Sequence, residues 1–299
     1  MARTPLLLIA PLAVAVSLGC LSLEASTRGD SGAIAKSILV TVLDEAGDPL
    51  RDLEPREFTV SEDGTPREII SARPNDEPLF VALLVDTAKP YPGVEFPTLE
   101  MRRGLEAFNR RVLGSTLGSQ VAILDIAMGG SVVVQSTADI KKLSAWTNRI
   151  VASQQSTGVL LEALSDASKQ LGKRLSPRRA IVSVTFDSAE SSSIPPQIVA
   201  EEVLKSGAAF WPISIRHAGR TAVSIPRRET LFATLPDPTG GLRSTALSTT
   251  ALEAILARVA AALTSQYEVT YYRPAGINPR EIQAGALRGS RVLRASWIR

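Results

Sequence analysis

The sequence predicts an α/β protein: a doubly wound, mostly parallel sheet, with a small antiparallel β module before it and a β tail after it. Three observations predict this. From Leu79 onward, apolar runs of strand length alternate with helical periods, the pattern of repeated βαβ units. Before Leu79 the chain shows period-two alternation and turn signals without a helical stretch. After the last helical period comes an aromatic strand, "SQYEVTYYRP".

The elements follow in order. Arg3 is a minimal positive region ahead of "PLLLIAPLAVAVSLG", which reads as an export signal over residues 1–25. Cys20 follows Gly19, where a lipoprotein carries its acylated cysteine, although Ser17 stands where leucine is usual. Cleavage after Ala25 by an ordinary signal peptidase and an uncleaved anchor are the other readings, the last disfavoured by a run shorter than the ~20 residues a spanning helix needs. All three export the protein, and none leaves a thiol pair for a disulfide framework. Residues 26–36 read as a polar linker, in which Arg28 to Asp30 is a chance "RGD".

Residues 37–76 form the β module: "SILVTVLD" alternates, "EAGDP" turns, and Asp63-Gly64 joins two further strands as a hairpin. The α/β domain, 77–265, has strands in "LFVALLVD", "SQVAILDIA", "SVVVQS", "RAIVSVTFD" and "AAFWPISIR". Helical periods lie between them, with Pro195-Pro196 as a helix start and Gly207 as its stop. The stretch 219–241 is long and irregular, and a last helix spans Thr249 to Leu263. Residues 266–299 are the C-terminal β extension, with Tyr267 and Tyr271 on one face of a strand and Tyr272 on the other.

Lys+Arg 33 against Asp+Glu 30 gives a net charge of +3 with no basic stripe, so no nucleic-acid footprint appears. "SPRRAI" and "IPRRET" read as solvated loop pairs. Known catalytic motifs are missing: no Gly-x-Ser-x-Gly elbow, no phosphate-binding Walker loop, no Gly-x-Gly-x-x-Gly turn. The single histidine, His217, excludes a two-histidine metal site and reads as a loop residue.

Several strings together resemble the von Willebrand factor type A domain, specifically the bacterial VWFA-related secreted proteins. "VTVLDEAGDPLRDLEPREFTVSEDGTPREI" matches the family's leading module, of the form VTVxDxxGxPVxxLxxxDFxVxEDGxxQ, and "LTSQYEVTYYRPAGIN" matches its tail. The resemblance spans Ser37 to the C-terminus. It implies a metal-ion-dependent adhesion site built from Asp-x-Ser-x-Ser, a loop threonine and a later aspartate. Here the first motif stands as "DTAKP": Asp86 is present, but Ala88 and Pro90 replace both serines. Thr157 matches the threonine and Asp187 the second aspartate.

Mg²⁺ wants about six oxygen ligands, so a set reduced to Asp86, Thr157 and Asp187 implies a degenerate site. Lys89 offers an ammonium in place of the metal, and Ser188, Ser191, Ser192 and Ser193 offer replacement oxygens. The resemblance thus implies a non-catalytic module that binds a protein partner at the cell envelope or outside the cell. Alternatives are Mg²⁺-dependent ligand binding through the same three residues and an enzyme of unrecognised class, which would need a deep pocket.

Overall fold

The computed structural model describes residues 32–89, 94–186, 188–216 and 226–298. The export segment, Cys20, the "RGD" tripeptide, Pro90, Asp187 and His217 lie outside them.

The six-stranded sheet is built from β5 (Phe80–Val85), β6 (Gln120–Asp125), β7 (Ser131–Thr137), β9 (Arg179–Thr185), β11 (Ala209–Ile215) and β12 (Ser244–Ala246). Its order is β12-β11-β9-β5-β6-β7. Counted within the sheet this is the doubly wound order 3-2-1-4-5-6. Every neighbouring pair is parallel except β6 with the edge strand β7, which turns back antiparallel. The central strands are apolar on both sides because helices cover both faces.

One face packs against α1 (Thr98–Leu113), α2 (Ile140–Thr147) and α7 (Leu252–Leu263), through Leu105, Phe108 and Leu256 against Leu83 and Ile123. The other packs against α3 (Leu160–Leu171), α4 (Pro196–Ser206) and α5 (Pro226–Thr234), through Leu164, Val203 and Phe232 against Leu84 and Ile181. α4 ends at Gly207 with φ 67°, a left-handed cap that glycine takes without penalty. A short α6 (Pro236–Thr239) leads to Gly241, whose missing Cβ would lie 1.8 Å from the Phe210 carbonyl oxygen, so β11 and this turn meet only at glycine. Two-residue strands β8 (Thr157–Gly158) and β10 (Ala189–Glu190) pair in parallel over the carboxyl end of the sheet.

The remaining strands form a sandwich. One sheet has the order β15-β1-β13-β4, from β15 (Arg291–Ile298), β1 (Ala33–Leu43), β13 (Tyr267–Pro274) and β4 (Ile69–Pro74). The other is β14 (Ile282–Ala286), β2 (Phe58–Glu62) and β3 (Thr65–Arg67). The leading module and the tail are therefore one body, with a shared core of Ile38, Val40, Phe58, Val60, Tyr267, Val269 and Tyr271. Neither stretch alone has enough apolar side chains for a core; among the described residues the leading module supplies six of the buried ones and the tail four. β1 begins at Ala33, within the stretch expected as linker, because β13 is long enough to pair that far, Ala33 lying opposite Pro274.

The hairpin forms at Asp63-Gly64, with φ 47° and 77°, both left-handed as a two-residue turn requires. Tyr267 and Tyr271 are buried and Tyr272 is exposed, as period two predicts.

The basic pair in "SPRRAI" departs from its expected solvated state. Arg178 is 1% exposed and spans the seam between sandwich and α/β domain. Its guanidinium donates to the carbonyls of Asn75 (3.0 Å), Glu77 (2.8 Å) and Leu263 (2.9 Å), and to the side chains of Thr116 (3.2 Å) and Gln266 (3.3 Å). Burial pulls its pKa down to about 10, which leaves it charged at neutral pH.

Candidate functional site

β5 ends at Val85, and the next residue, Asp86, is fully buried at the carboxyl end of the sheet, where open α/β sheets place their sites. Its carboxylate is surrounded by donors. Oδ1 accepts from the Ala88 amide at 2.9 Å; Oδ2 accepts from the Phe186 amide at 3.3 Å and, closely, from the Ser188 hydroxyl. Ala88 is itself buried, so a methyl group fills the place of a ligand hydroxyl. Lys89 is exposed, and its backbone amide is bound to Gln155 O at 2.7 Å; among the described residues it makes no ion pair with Asp86.

The segment carrying Thr157 passes close by: a Cβ placed on Gly158 would stand 3.9 Å from Asp86 Oδ1. Thr157 itself is exposed, and its hydroxyl accepts from Ser191 Oγ at 3.2 Å. The structure therefore brings the Thr157 loop to Asp86, with the threonine side chain at the surface and the aspartate beneath it. Asp187 lies outside the described residues, between Phe186 and Ser188, both of which bond Asp86.

Sequence reasoning missed Asp125, which ends β6 as Asp86 follows β5. It is 3% exposed. Thr87 Oγ1 donates to both its oxygens at 2.7 and 2.8 Å, and the Ala127 amide donates at 3.0 Å. Burial pushes the Asp125 carboxyl above its ordinary range; the Thr87 and Ala127 hydrogen bonds oppose this, and the negative Asp86 nearby adds to it. The signal was in "SQVAILDIA", an apolar strand running into an aspartate, the same cue that singled out Asp86.

The serine run is engaged in fixing its own loop. Ser192 Oγ accepts from Leu161 N (3.0 Å) at the start of α3 and donates to Glu190, while Glu190 accepts from Leu160 N at 3.1 Å. These bonds satisfy orphan donors of the α3 N-terminus. Burial raises the Glu190 pKa, opposed by Ser192 and by the charge of Arg228. Glu162 Oε1 holds the Ser193 amide and hydroxyl at 2.6 and 2.9 Å.

From outside, α5 fastens the same loop. Arg227 donates to Ser192 O (2.7 Å) and Ile194 O (2.9 Å), and the buried Arg228 to Phe186 O (3.0 Å). The "IPRRET" pair, expected to be solvated, is thus a clamp, because α5 leaves its arginines facing the carbonyls of the 186–194 loop. Above these residues lies an open depression of about 510 Å³, lined by Met128, Ser153, Gln155, Thr157, Val159 and Ser191 among others. Neither Asp86 nor Asp125 lines it. Among the described residues, no three His, Cys, Asp or Glu side chains gather as a metal site.

No family model matches the chain, and no curated protein does. Solved structures are similar to it. The SpRpn10 VWA domain is 10% identical over 60% of this chain and 94% of that one, with a TM-score of 0.46. A von Willebrand factor type A protein from Catenulispora acidiphila is 9% identical over 89% of this chain and 72% of that one, with a TM-score of 0.45. Proximal thread matrix protein 1 from the mussel byssus, in a form with a zinc-occupied MIDAS motif, is 12% identical over 68% and 49%, with a TM-score of 0.48. Likeness at such identities bears on the fold alone. By its strand order, its antiparallel edge strand and its two helical layers, the central domain has a von Willebrand A-like fold.

Proposed function

We propose that the protein is an exported, non-catalytic binding module of the von Willebrand A type that recognises a protein partner at the cell envelope or outside the cell, without a metal ion. The observation that carries the metal-free reading is the state of Asp86. A hard cation needs oxygen lone pairs aimed at one point. Here the Asp86 carboxylate already accepts from two amides and a hydroxyl, and Ala88 contributes no oxygen. The described part of the ligand set does not fit a hexacoordinate ion. The hydrogen bonds take over the cation's task of stabilising a buried carboxylate.

Recognition then falls to the surface above, where Ser153, Gln155, Thr157 and Ser191 offer uncharged hydrogen-bonding groups beside the exposed Met128. This chemistry suits a polypeptide's amides and apolar side chains better than a lone carboxylate. Export is supported by the apolar segment that follows Arg3, and Cys20 offers a lipidation point within it. No described helix is long and apolar enough to cross a membrane.

A second reading keeps a divalent cation bound through Asp86, Thr157 and Asp187; what favours it is the approach of the Thr157–Gly158 segment to Asp86. Thermal melting with Mg²⁺ or Mn²⁺ separates the two. An ion at about 100 times its Kd stabilises by about 2.7 kcal/mol, which is about 5–10 °C for a chain of this size. The metal-free reading expects no shift at millimolar ion. A shift of several degrees that disappears on Asp187→Ala would establish the second reading instead.

The same site gives a stability prediction. Ser188→Ala removes one of the three donors that the described residues offer to a fully buried carboxylate and should cost about 1–3 kcal/mol, read as a lowered midpoint in urea. Unchanged stability would mean that another group takes up the Asp86 oxygen.

A further inference from the structure

Two leucines stand almost wholly in solvent at the amino-end face, opposite the loops that carry Asp86 and Thr157. Leu117 is 97% exposed and Leu175 99%, while the next most exposed large apolar side chain among the described residues, Leu287, is 73% exposed. Leu117 lies in the loop joining α1 to β6, and Leu175 in the loop joining α3 to β9. β6 and β9 flank β5 on its two sides, so the loops are neighbours.

Both are held at their bases. Arg178 Nη1 donates to Thr116 Oγ1 at 3.2 Å, and Ser176 Oγ accepts from Arg178 N at 3.2 Å while donating to Pro78 O at 2.6 Å. Each leucine is thus the immediate neighbour of a residue tied to the same buried arginine. The prongs are therefore presented by loops whose bases are fixed to the scaffold.

The two loops themselves carry charge of one sign. Residues 110–119 and 172–179 contain no Asp or Glu and six Arg and Lys, of which Arg178 is buried in the seam and Arg110 pairs with Glu106 at 2.7 Å. Arg111 and Lys173 are exposed, and Arg51 adds its charge beside Arg111. Arg174 lies over the Phe80 ring at 4.6 Å, at the foot of the Leu175 prong. The acids of the adjoining turn are Asp76, which pairs with Arg73 at 3.9 Å, and Glu77.

We infer that this face docks on an anionic lipid surface, Leu117 and Leu175 entering the interface while Arg111, Lys173 and Arg174 lie among the headgroups. A protein groove asks for contiguous apolar area, and a second copy of this chain would meet like charge. Separate apolar prongs with cations at their bases match a bilayer, which is apolar within and anionic at its rim. Docking this way leaves the Thr157 face turned toward the solution.

The test uses the full chain carrying Cys20→Ser and Leu175→Cys, labelled at 175 with an environment-sensitive fluorophore such as NBD, so that any anchoring by the N-terminal segment does not enter the readout. Vesicles of phosphatidylglycerol and phosphatidylcholine should raise the emission about twofold or more, and pure phosphatidylcholine or high salt should remove most of the rise. Lys173→Glu in the same background should weaken the response about fivefold in lipid titrations. A label at Met128→Cys, on the opposite face, should not respond. No response at position 175, an equal response at 128, or a response to protein concentration without vesicles would overturn the inference, the last by assigning the face to self-association.

Discussion

Replacing Arg178 with methionine should lower stability by about 3–5 kcal/mol, because each buried acceptor left without its donor costs about 1–3 kcal/mol and the apolar stem recovers only part. The guanidinium bonds three main-chain carbonyls and two side chains drawn from four separate stretches: the turn into β5, the loop after α1, the end of α7 and the residue before β13. For a chain of this size the loss corresponds to a fall in melting temperature of about 10 °C. Arg178→Lys should recover little, since one ammonium on a flexible stem cannot reach acceptors arranged around a planar fork. Melting Arg178→Met and Arg178→Lys beside the parent checks this. A loss under about 1 kcal/mol for the methionine variant would mean that water satisfies the carbonyls.

Glu62→Ala should be comparably damaging, about 3–5 kcal/mol, by a different route. The Glu62 carboxylate, 1% exposed, sits inside the sandwich and accepts from Tyr271 Oη at 2.6 Å, Arg273 Nε at 2.6 Å and Arg67 Nε at 3.0 Å. Removing it leaves the buried Arg273 guanidinium uncompensated, the costly half of a buried ion pair. Replacing both Glu62 and Arg273 by methionine should cost much less than Glu62→Ala alone, because no charge is then stranded.

The cluster also predicts a pH dependence. Burial pushes the Glu62 carboxyl up, but hydrogen bonds from Tyr271, Arg273 and Arg67 and the charge of Arg273 hold it below the ordinary 4.5. A carboxylate with a depressed folded-state pKa contributes stability that is complete above the unfolded value and lost as the pH falls through the folded one. The parent should therefore lose stability as the pH falls below 4.5, and the double methionine variant should lack that component. Parallel acid denaturation curves for the two would contradict the assignment. Tyr271 is the counterpart: burial and the bond to Glu62 push its hydroxyl up to about 12, so it stays protonated and donating.

Much of the sheet was legible because its signals are local. Apolar runs bounded by turn residues located β5, β6, β7, β9 and β11, and the Gly207 and Asp63-Gly64 signals depend only on backbone angles. Illegible parts depended on distant partners. β12 is three residues long and has no pattern of its own; it exists because β11 offers an edge. The joining of the leading module to the tail is a pairing across most of the chain, which no window of sequence contains.

The arginine pairs show the same limit at single residues. "PRR" reads as solvent-exposed because arginine is mostly exposed, yet Arg178 and Arg228 are buried where loop carbonyls need donors. At the candidate site Asp86 was found from its strand. Ser188 was named from the sequence as a replacement oxygen, but not that its hydroxyl would donate to Asp86 itself; that bond and the one from the Phe186 amide join residues 102 and 100 positions apart, which "DTAKP" alone does not contain.

The pairing of β1 sets an order of events as the chain is made. Ser37 bonds Thr270 across 233 residues, and both strands flanking β1 come from the final stretch of the chain. During synthesis the α/β domain has every strand of its sheet before β13 emerges, whereas β1 and β2 emerge first and wait. Closing so distant a contact is entropically slow. Until it closes, "SILVTVL" is an apolar segment with two open hydrogen-bonding edges, a vulnerable interval. An early-made strand that is completed last keeps this architecture from reaching its final fold until the tail has arrived.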